Sequence, residues 1–228
     1  MRPKLAAIKA APFEAPTGTK AERTRSAVLA AAETLFAEQG YAAAKLEDVA
    51  DKLGLTRAAL FYYFRDKQSL YDAMLAEAFG ALAKRLEQVL AAEGKSITER
   101  VELAAGAWVD SLVARPTLAR LILRIVADGL HTEHGVFADD DRLAMKFLAL
   151  FQEGRKSGEL RPLHDNPFHV ASAVLGTSVF YVAALATLVP HARFEPLDPE
   201  QVAAHKREVL FEARRLLGIT RKTKSKRS

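Results

Sequence analysis

An all-α fold follows from three features of the sequence. Apolar residues recur at helical spacing along most of the chain, the runs are opened by capping residues or proline and closed by glycine, and no stretch alternates as a half-buried strand would. The first helix is predicted to start at the Thr19-x-x-Glu22 capping box, to carry Val28, Ala31, Ala32, Leu35 and Phe36 on one face, and to stop at Gly40. Leu46, Val49, Ala50 and Leu53 fall at i, i+3, i+4 and i+7 of a short second helix that Gly54 closes. Thr56 caps a third, with Leu60 and Phe64 inward and Arg57, Ala58, Phe61 and Tyr62 outward. Asp66 caps the next, which runs from Lys67 through Leu70, Met74, Leu82, Leu86 and Val89 to about Ala92. Ser96-x-x-Glu99 opens a helix that passes Trp108 and ends near Ala114. Pro116 starts one with Leu118, Leu121, Ile122 and Ile125, and Asp139 to Lys156 form another with Leu143, Phe147, Leu150 and Phe151, closed by Gly158. Asn166-Pro167 and Asp198-Pro199 start the last two, since proline is tolerated at the first helical position.

The short helices over residues 46–64 carry the functional signal. An α-helix fits the major groove of B-DNA, and the N-terminal residues of the second helix of a helix-turn-helix reach base edges, which places Arg57 and Ala58 there. Lys67 stands in the first turn of its helix, where a cation is mildly unfavourable unless an anion meets it. Residues 31–41 (Ala-Ala-Glu-Thr-Leu-Phe-Ala-Glu-Gln-Gly-Tyr), Val49-Ala50, Gly54-Leu55-Thr56, Leu60-Phe61-Tyr62-Tyr63-Phe64 and Lys67-Gln68-Ser69-Leu70 form a long ordered pattern. In that pattern residues 22–75 resemble the DNA-binding domain of the TetR family of transcriptional regulators. The resemblance implies a three-helix reading domain, a homodimer, operator binding, and control by a small molecule. It puts Thr56, Tyr62, Tyr63 and Lys67 on positions that hold phosphates, and Arg57 and Ala58 on those nearest base edges. Two positions depart from the family pattern. Ala44 and Lys45 replace the usual Thr or Ser before the second helix, which makes Lys45 a substitute phosphate contact. Phe61 stands where Tyr is usual, so any hydroxyl contact there is lost.

The rest of the chain divides, on this reading, into a flexible basic arm (1–19), the helix-turn-helix domain (20–66), a helical effector-binding and dimerisation domain (67–217) and a basic disordered tail (218–228). The net charge of +5 belongs to the ends: residues 1–27 carry +4 and residues 221–228 carry +5, leaving −4 on the body. The basic balance is therefore no evidence about the folded body. Arg2, Lys4, Lys9, Lys20, Arg23 and Arg25 suit an arm that follows phosphates or enters the minor groove as well as they suit plain solubilising charge. The absence of cysteine excludes disulfides and thiolate metal sites and suits a reducing cytoplasm, the expected location. The N-terminus lacks the continuous apolar core of a signal peptide.

Val170 to Val189 run without a charge for twenty residues, long enough for a membrane span. Their Ser, Thr and Gly content and the lack of flanking Lys or Arg favour a buried helix instead. In the family resembled, residues 167–189 and 199–217 would pair with their copies as a four-helix dimer bundle. Trp108, Leu112, Ile125, Met145, Phe147, Phe151 and Phe180 sit on the helices that in such regulators enclose a ligand. Such a lining suits a hydrophobic or aromatic effector, although each residue taken singly reads more readily as core. A competing class, a helical metal binder or enzyme, rests on His131 and His134 near Asp139, Asp140 and Asp141, with His164 as a third ligand. The i, i+3 spacing is weak evidence, and no nucleophile elbow, P-loop or HExxH accompanies it. His169, His191 and His205 read as solvated or cap-region residues. No enzyme activity, cofactor or bound metal is expected.

Overall fold

The computed structural model describes residues 18–129, 142–189 and 194–219, and every regular element among them is a helix. The chain forms two compact units, Met1–Met74 and Leu75–Ser228. In the first unit, α1 (Lys20–Ala43) begins at the expected capping box: the Thr19 amide donates to Glu22 Oε2 at 2.7 Å, and the Glu22 amide returns a bond to Thr19 Oγ1 at 3.3 Å. Those same bonds hold the Glu22 carboxyl below the usual carboxylate range. At Gly40 the backbone leaves helical geometry (φ 77°), so the run from 20 to 43 is broken where the sequence places its stop.

α2 (Leu46–Leu53) closes on Gly54 in the left-handed region (φ 64°), and the Leu55 amide reaches back to the Ala50 carbonyl at 2.9 Å. α3 (Arg57–Tyr63) starts at Thr56, whose hydroxyl accepts from the Ala59 amide at 3.1 Å. Asp66 caps α4 (Lys67–Leu90) by accepting from the Ser69 amide at 2.7 Å, and this bond, reinforced by Arg65, lowers its carboxyl pKa. Val28, Ala32, Phe36, Val49, Leu60, Phe64, Leu70 and Met74 are all buried. α1 packs on α2 and α2 on α3, which anchors both short helices. Tertiary packing is what a seven-residue helix requires, since so short a helix is marginal by itself.

The second unit contains the rest of α4 with α5 (Ile97–Ala114), α6 (Pro116–Ala127), α7 (Arg142–Ser157), α8 (Pro167–Ala183), α9 (Leu185–Leu188) and α10 (Pro199–Leu216). α5 opens on the Ser96/Glu99 box, α8 on the Asn166 side chain, and α10 on Asp198, which accepts from the Glu200 and Gln201 amides. α8 packs against α5, α6 and α10, and α5 also meets α6, α7 and α10. Leu90, Val101, Val109, Leu150, Phe151, Leu160, Val174, Val209 and Leu217 belong to one core there. Arg100 donates to the Leu90 carbonyl and so satisfies an otherwise open group at the end of α4. The apolar run expected as one helix over 167–189 ends as α8 at Ala183 and resumes as the four-residue α9. Among the described residues no helix is long and apolar enough to cross a membrane.

One expectation fails here. His205 is buried, not solvated, and its ring stacks on Tyr181 at 3.8 Å with 4° between the planes. The apolar period of α10 turns this position inward together with Val209 and Ala213. Burial lowers the imidazole pKa below its ordinary 6.5, so the folded state prefers the neutral ring. Between that lowered pKa and 6.5 the unfolded chain binds more protons, and the stability present above pH 6.5 is lost as pH falls. Urea midpoints measured from pH 7.5 down to about 5 should drop less steeply for His205→Phe, which keeps a stacking ring without the titration. Parallel curves for the two proteins would refute this assignment.

Candidate nucleic-acid interface

The seven residues singled out for DNA contact, Lys45, Thr56, Arg57, Ala58, Tyr62, Tyr63 and Lys67, all lie within the first unit. Lys45, Thr56, Arg57 and Ala58 are exposed, whereas Tyr63 and Lys67 are half-buried. Tyr62 is 82 % exposed, unusual for an aromatic side chain, while Leu60 and Phe64 on the opposite side of α3 are at 1 % and 4 %. One face of α3 therefore anchors the helix and the other presents a phenol, a guanidinium and the small Ala58 to solvent. The Tyr62 and Tyr63 rings meet edge to face at 5.2 Å, which limits where the exposed phenol can swing.

Lys45 occupies the N-cap of α2 without a side-chain cap bond, consistent with a cation standing where a capping hydroxyl would otherwise be. Lys67 is more constrained than the sequence suggests. Its ammonium donates to the Ala42 carbonyl at 3.2 Å and lies 4.6 Å over the Tyr41 ring, and burial lowers its pKa. The Ala42 carbonyl and the Tyr41 ring, just past the Gly40 break in α1, thus supply partners for a cation that the N-terminus of α4 disfavours. An ammonium has three donors, so Lys67 keeps capacity for an anion. Arg25, on α1, lies 5.3 Å over the Phe64 ring, and Lys20 and Arg23 are exposed nearby in sequence. The remaining cations of the expected arm, Arg2, Lys4 and Lys9, and the tail from residue 220 lie outside the described residues.

Sequence reasoning passed over Glu47. Its carboxylate meets Arg57 Nη1 at 3.1 Å, and the Arg57 guanidinium also lies 5.3 Å over the Phe61 ring. The pairing crosses from α2 to α3 over ten positions, a separation that no helical periodicity displays. A two-helix view of the turn with Glu47 on the outer side of α2 would have found it.

In the second unit the proposed effector-lining residues separate. Trp108, Leu112, Ile125 and Phe151 are buried, and Phe147 packs 6.4 Å from Phe151 at the edge of the core. Met145 and Phe180 are 59 % and 48 % exposed. An open groove of about 420 Å³ is lined by Arg85, Val89, Lys95, Glu99, Glu102, Leu103, Gly106, Ala107, Asp110, Lys206 and Leu210, none of which is among those seven. Its charges are largely matched internally: Lys206 reaches both Asp110 oxygens at 2.7 and 2.8 Å, and Arg214 forms a two-point pair with Glu102. Trp108 Nε1, Tyr181 Oη and His205 Nε2 are buried without a hydrogen-bond partner. His131 and His134 lie outside the described residues, and His164 faces His169 at 5.2 Å. Among the described residues no cluster of three or more potential ligands is placed to hold a metal.

Comparison with known proteins meets this geometry at the same residues. The family model described as bacterial regulatory proteins, tetR family, matches residues 28–74, which include α2, α3 and the first turns of α4. The chain is 26 % identical over 159 residues to the HTH-type transcriptional repressor BepR of Brucella suis, covering 70 % of this chain and 64 % of that protein. It is 37 % identical over 59 residues to the HTH-type transcriptional regulator TtgR of Pseudomonas putida, covering 26 % of this chain and 28 % of that one. The chain thus spans less than two thirds of either curated relative. Among solved structures it shares its fold with a tetR-family regulatory protein from Rhodococcus RHA1 (TM-score 0.66, 20 % identity, 89 % of this chain and 100 % of that one). It also shares it with the regulator FadR of Bacillus subtilis, solved in complex with stearoyl-CoA (TM-score 0.61, 18 % identity, 86 % and 99 % covered). Residues 28–74, which include the capped α3, carry the sequence pattern of the tetR family of bacterial regulatory proteins, and the described chain shares the fold of solved members of it.

Proposed function

We propose that this protein is a DNA-binding transcriptional regulator that acts as a homodimer and represses until a small hydrophobic or aromatic effector releases it. The observation that carries the reading is α3, a rigidly anchored helix whose outward row is Arg57, Ala58, Phe61 and Tyr62. Such a helix fits a major groove with its first turn at the base edges and its flanking polar groups at phosphates. The printed roles of BepR and TtgR agree with it. One seven-residue helix makes few contacts, so two copies reading half-sites about 34 Å apart supply the affinity. Phe168 and Phe180 on α8 and Phe211 on α10 are 57, 48 and 59 % exposed in the single chain, apolar surface suited to a second copy across residues 167–189 and 199–217.

Effector control requires a ligand that binds one spacing of the two reading helices better than the other. The reading of that ligand as apolar rests on the aromatic and aliphatic character of Trp108, Leu112, Ile125 and Phe151 on the helices of the second unit, and FadR offers a neighbour of the same fold solved with stearoyl-CoA. The reading is tested by selecting duplexes from a random library with the full chain and titrating the best one. We expect a dimer by sedimentation, and an affinity that falls about 10³- to 10⁵-fold between 50 and 200 mM salt if roughly 6 to 10 phosphates are engaged. A monomer that enriches no sequence at low salt would sink the proposal.

A further inference from the structure

We infer that Glu47 sets the base preference of the reading helix by holding the Arg57 guanidinium for a G·C pair. The inference rests on the function proposed above and adds the identity of one base that the site selects. Its starting point is an apparent contradiction: an acid stands on the outer side of α2, 46 % exposed, beside a surface meant to face a polyanion. By its charge alone Glu47 weakens binding to every duplex. Its position in the first turn of α2 gives it a favourable place in the helix dipole, but that does not require contact with Arg57.

The contact is specific in form. Glu47 Oε1 takes Nη1 of Arg57 at 3.1 Å, and the ring of Phe61 lies 5.3 Å from the guanidinium carbon. Arg57 is the first residue of α3, directly after the Thr56 cap, and its side chain is 68 % exposed. A guanidinium is a planar fork of five donors, so one carboxylate oxygen leaves most of them available. A side chain held at one nitrogen and backed by an aromatic ring loses much of its freedom to swing toward phosphates. Its remaining donors then meet one base edge. Guanine offers two adjacent acceptors, O6 and N7, whereas adenine places a donor amine beside its N7. The held fork therefore selects guanine. Without Glu47 the same arginine turns to the nearest phosphate, which raises affinity for all sequences and reads none of them.

The test is duplex selection with the full chain and with Glu47→Gln, Arg57→Lys and the double variant, followed by titration of the enriched duplex and its single-base variants. The wild type should enrich a guanine at one symmetric position of each half-site. Glu47→Gln should lower the guanine-over-adenine preference at that position about two- to five-fold, the range expected for an exposed ion pair, and leave other positions unchanged. Binding to unselected duplex should hold or tighten. Arg57→Lys keeps the charge and loses the fork, so it should weaken the same preference, and adding Glu47→Gln to it should change that position no further. A uniform change in affinity across sequences, with the guanine preference intact, would overturn the role of Glu47 while leaving a DNA-binding protein. A wild type that enriches no sequence would overturn both readings.

Discussion

Arg57→Ala should cost about 2 to 6 kcal/mol of operator binding, because a bidentate base contact is worth about 1 to 3 kcal/mol and a dimer carries two copies. The loss should concentrate at one base pair in each half-site. There the variant should accept all four bases almost equally, whereas the rest of the site keeps its preferences. Two further consequences separate this outcome from general damage. The Arg57–Glu47 pair is exposed (68 % and 46 %), so its removal should shift the unfolding midpoint by no more than about 1 kcal/mol of stability. Tyr62→Phe should behave differently, since the ring remains and only a hydroxyl at a phosphate position is lost. That change should weaken all duplexes alike, by about 0.5 to 1.5 kcal/mol per subunit. Titrations of matched and single-mismatch duplexes at one fixed salt concentration decide the matter. Equal loss on every duplex for Arg57→Ala would mean that Arg57 binds phosphate and reads nothing.

The elements of the reading domain are legible in sequence because each is set locally. Thr19 with Glu22, Thr56 with the Ala59 amide, and Gly54 in the left-handed region are decisions made within three or four residues, and the chain states them outright. The outward row of α3 is legible for the same reason, as the complement of Leu60 and Phe64. Lys67 marks where such reasoning stops. Its preferred partners, the Ala42 carbonyl and the Tyr41 ring, lie some twenty-five residues earlier at the end of α1. Only the crossing of α1 and α4 brings them together. Glu47 and Arg57 pose the same difficulty on a shorter scale. In the second unit the difficulty is greater, because an aromatic residue at helical spacing has the same pattern whether it fills a core, lines a cavity or meets another copy. Phe151 and Phe180 both read as inward, yet the first is buried and the second half exposed. His205 adds the converse case, a polar residue whose place on the apolar stripe of α10 outweighed its composition.

Gly218→Ala should destabilise the second unit by about 3 to 4 kcal/mol, a substantial share of the roughly 5 to 15 kcal/mol that holds a domain folded. Gly218 follows α10 with φ 61°, where a side chain costs about 1 to 2 kcal/mol. A Cβ there would also overlap the Arg161 carbonyl oxygen, which is backbone and cannot swing aside. The closeness has a cause in the bonding of that corner. The Arg161 and Leu163 amides donate to the Leu217 and Leu216 carbonyls, each at 2.8 Å, so the 161–163 segment satisfies groups that the end of α10 leaves open. To admit a methyl group, the segment must withdraw and forfeit one or both bonds, at about 1 kcal/mol each, and disturb Leu160 and Leu217, which are buried in the adjoining core. Gly154 makes the useful contrast. A Cβ there would overlap the buried Leu160 side chain and press on Ile97, in both cases side-chain rather than backbone atoms. Gly154→Ala should therefore carry an overpacking cost of about 1 to 3 kcal/mol without the left-handed one. Asparagine tolerates the left-handed region, so Gly218→Asn separates the two contributions. If conformation alone mattered, asparagine would restore most of the lost stability. The overlap with Arg161 predicts that it will not, and urea unfolding of the three variants beside the wild type measures the difference. An unchanged midpoint for Gly218→Ala would show that the end of α10 does not rest against residues 161–163 in solution.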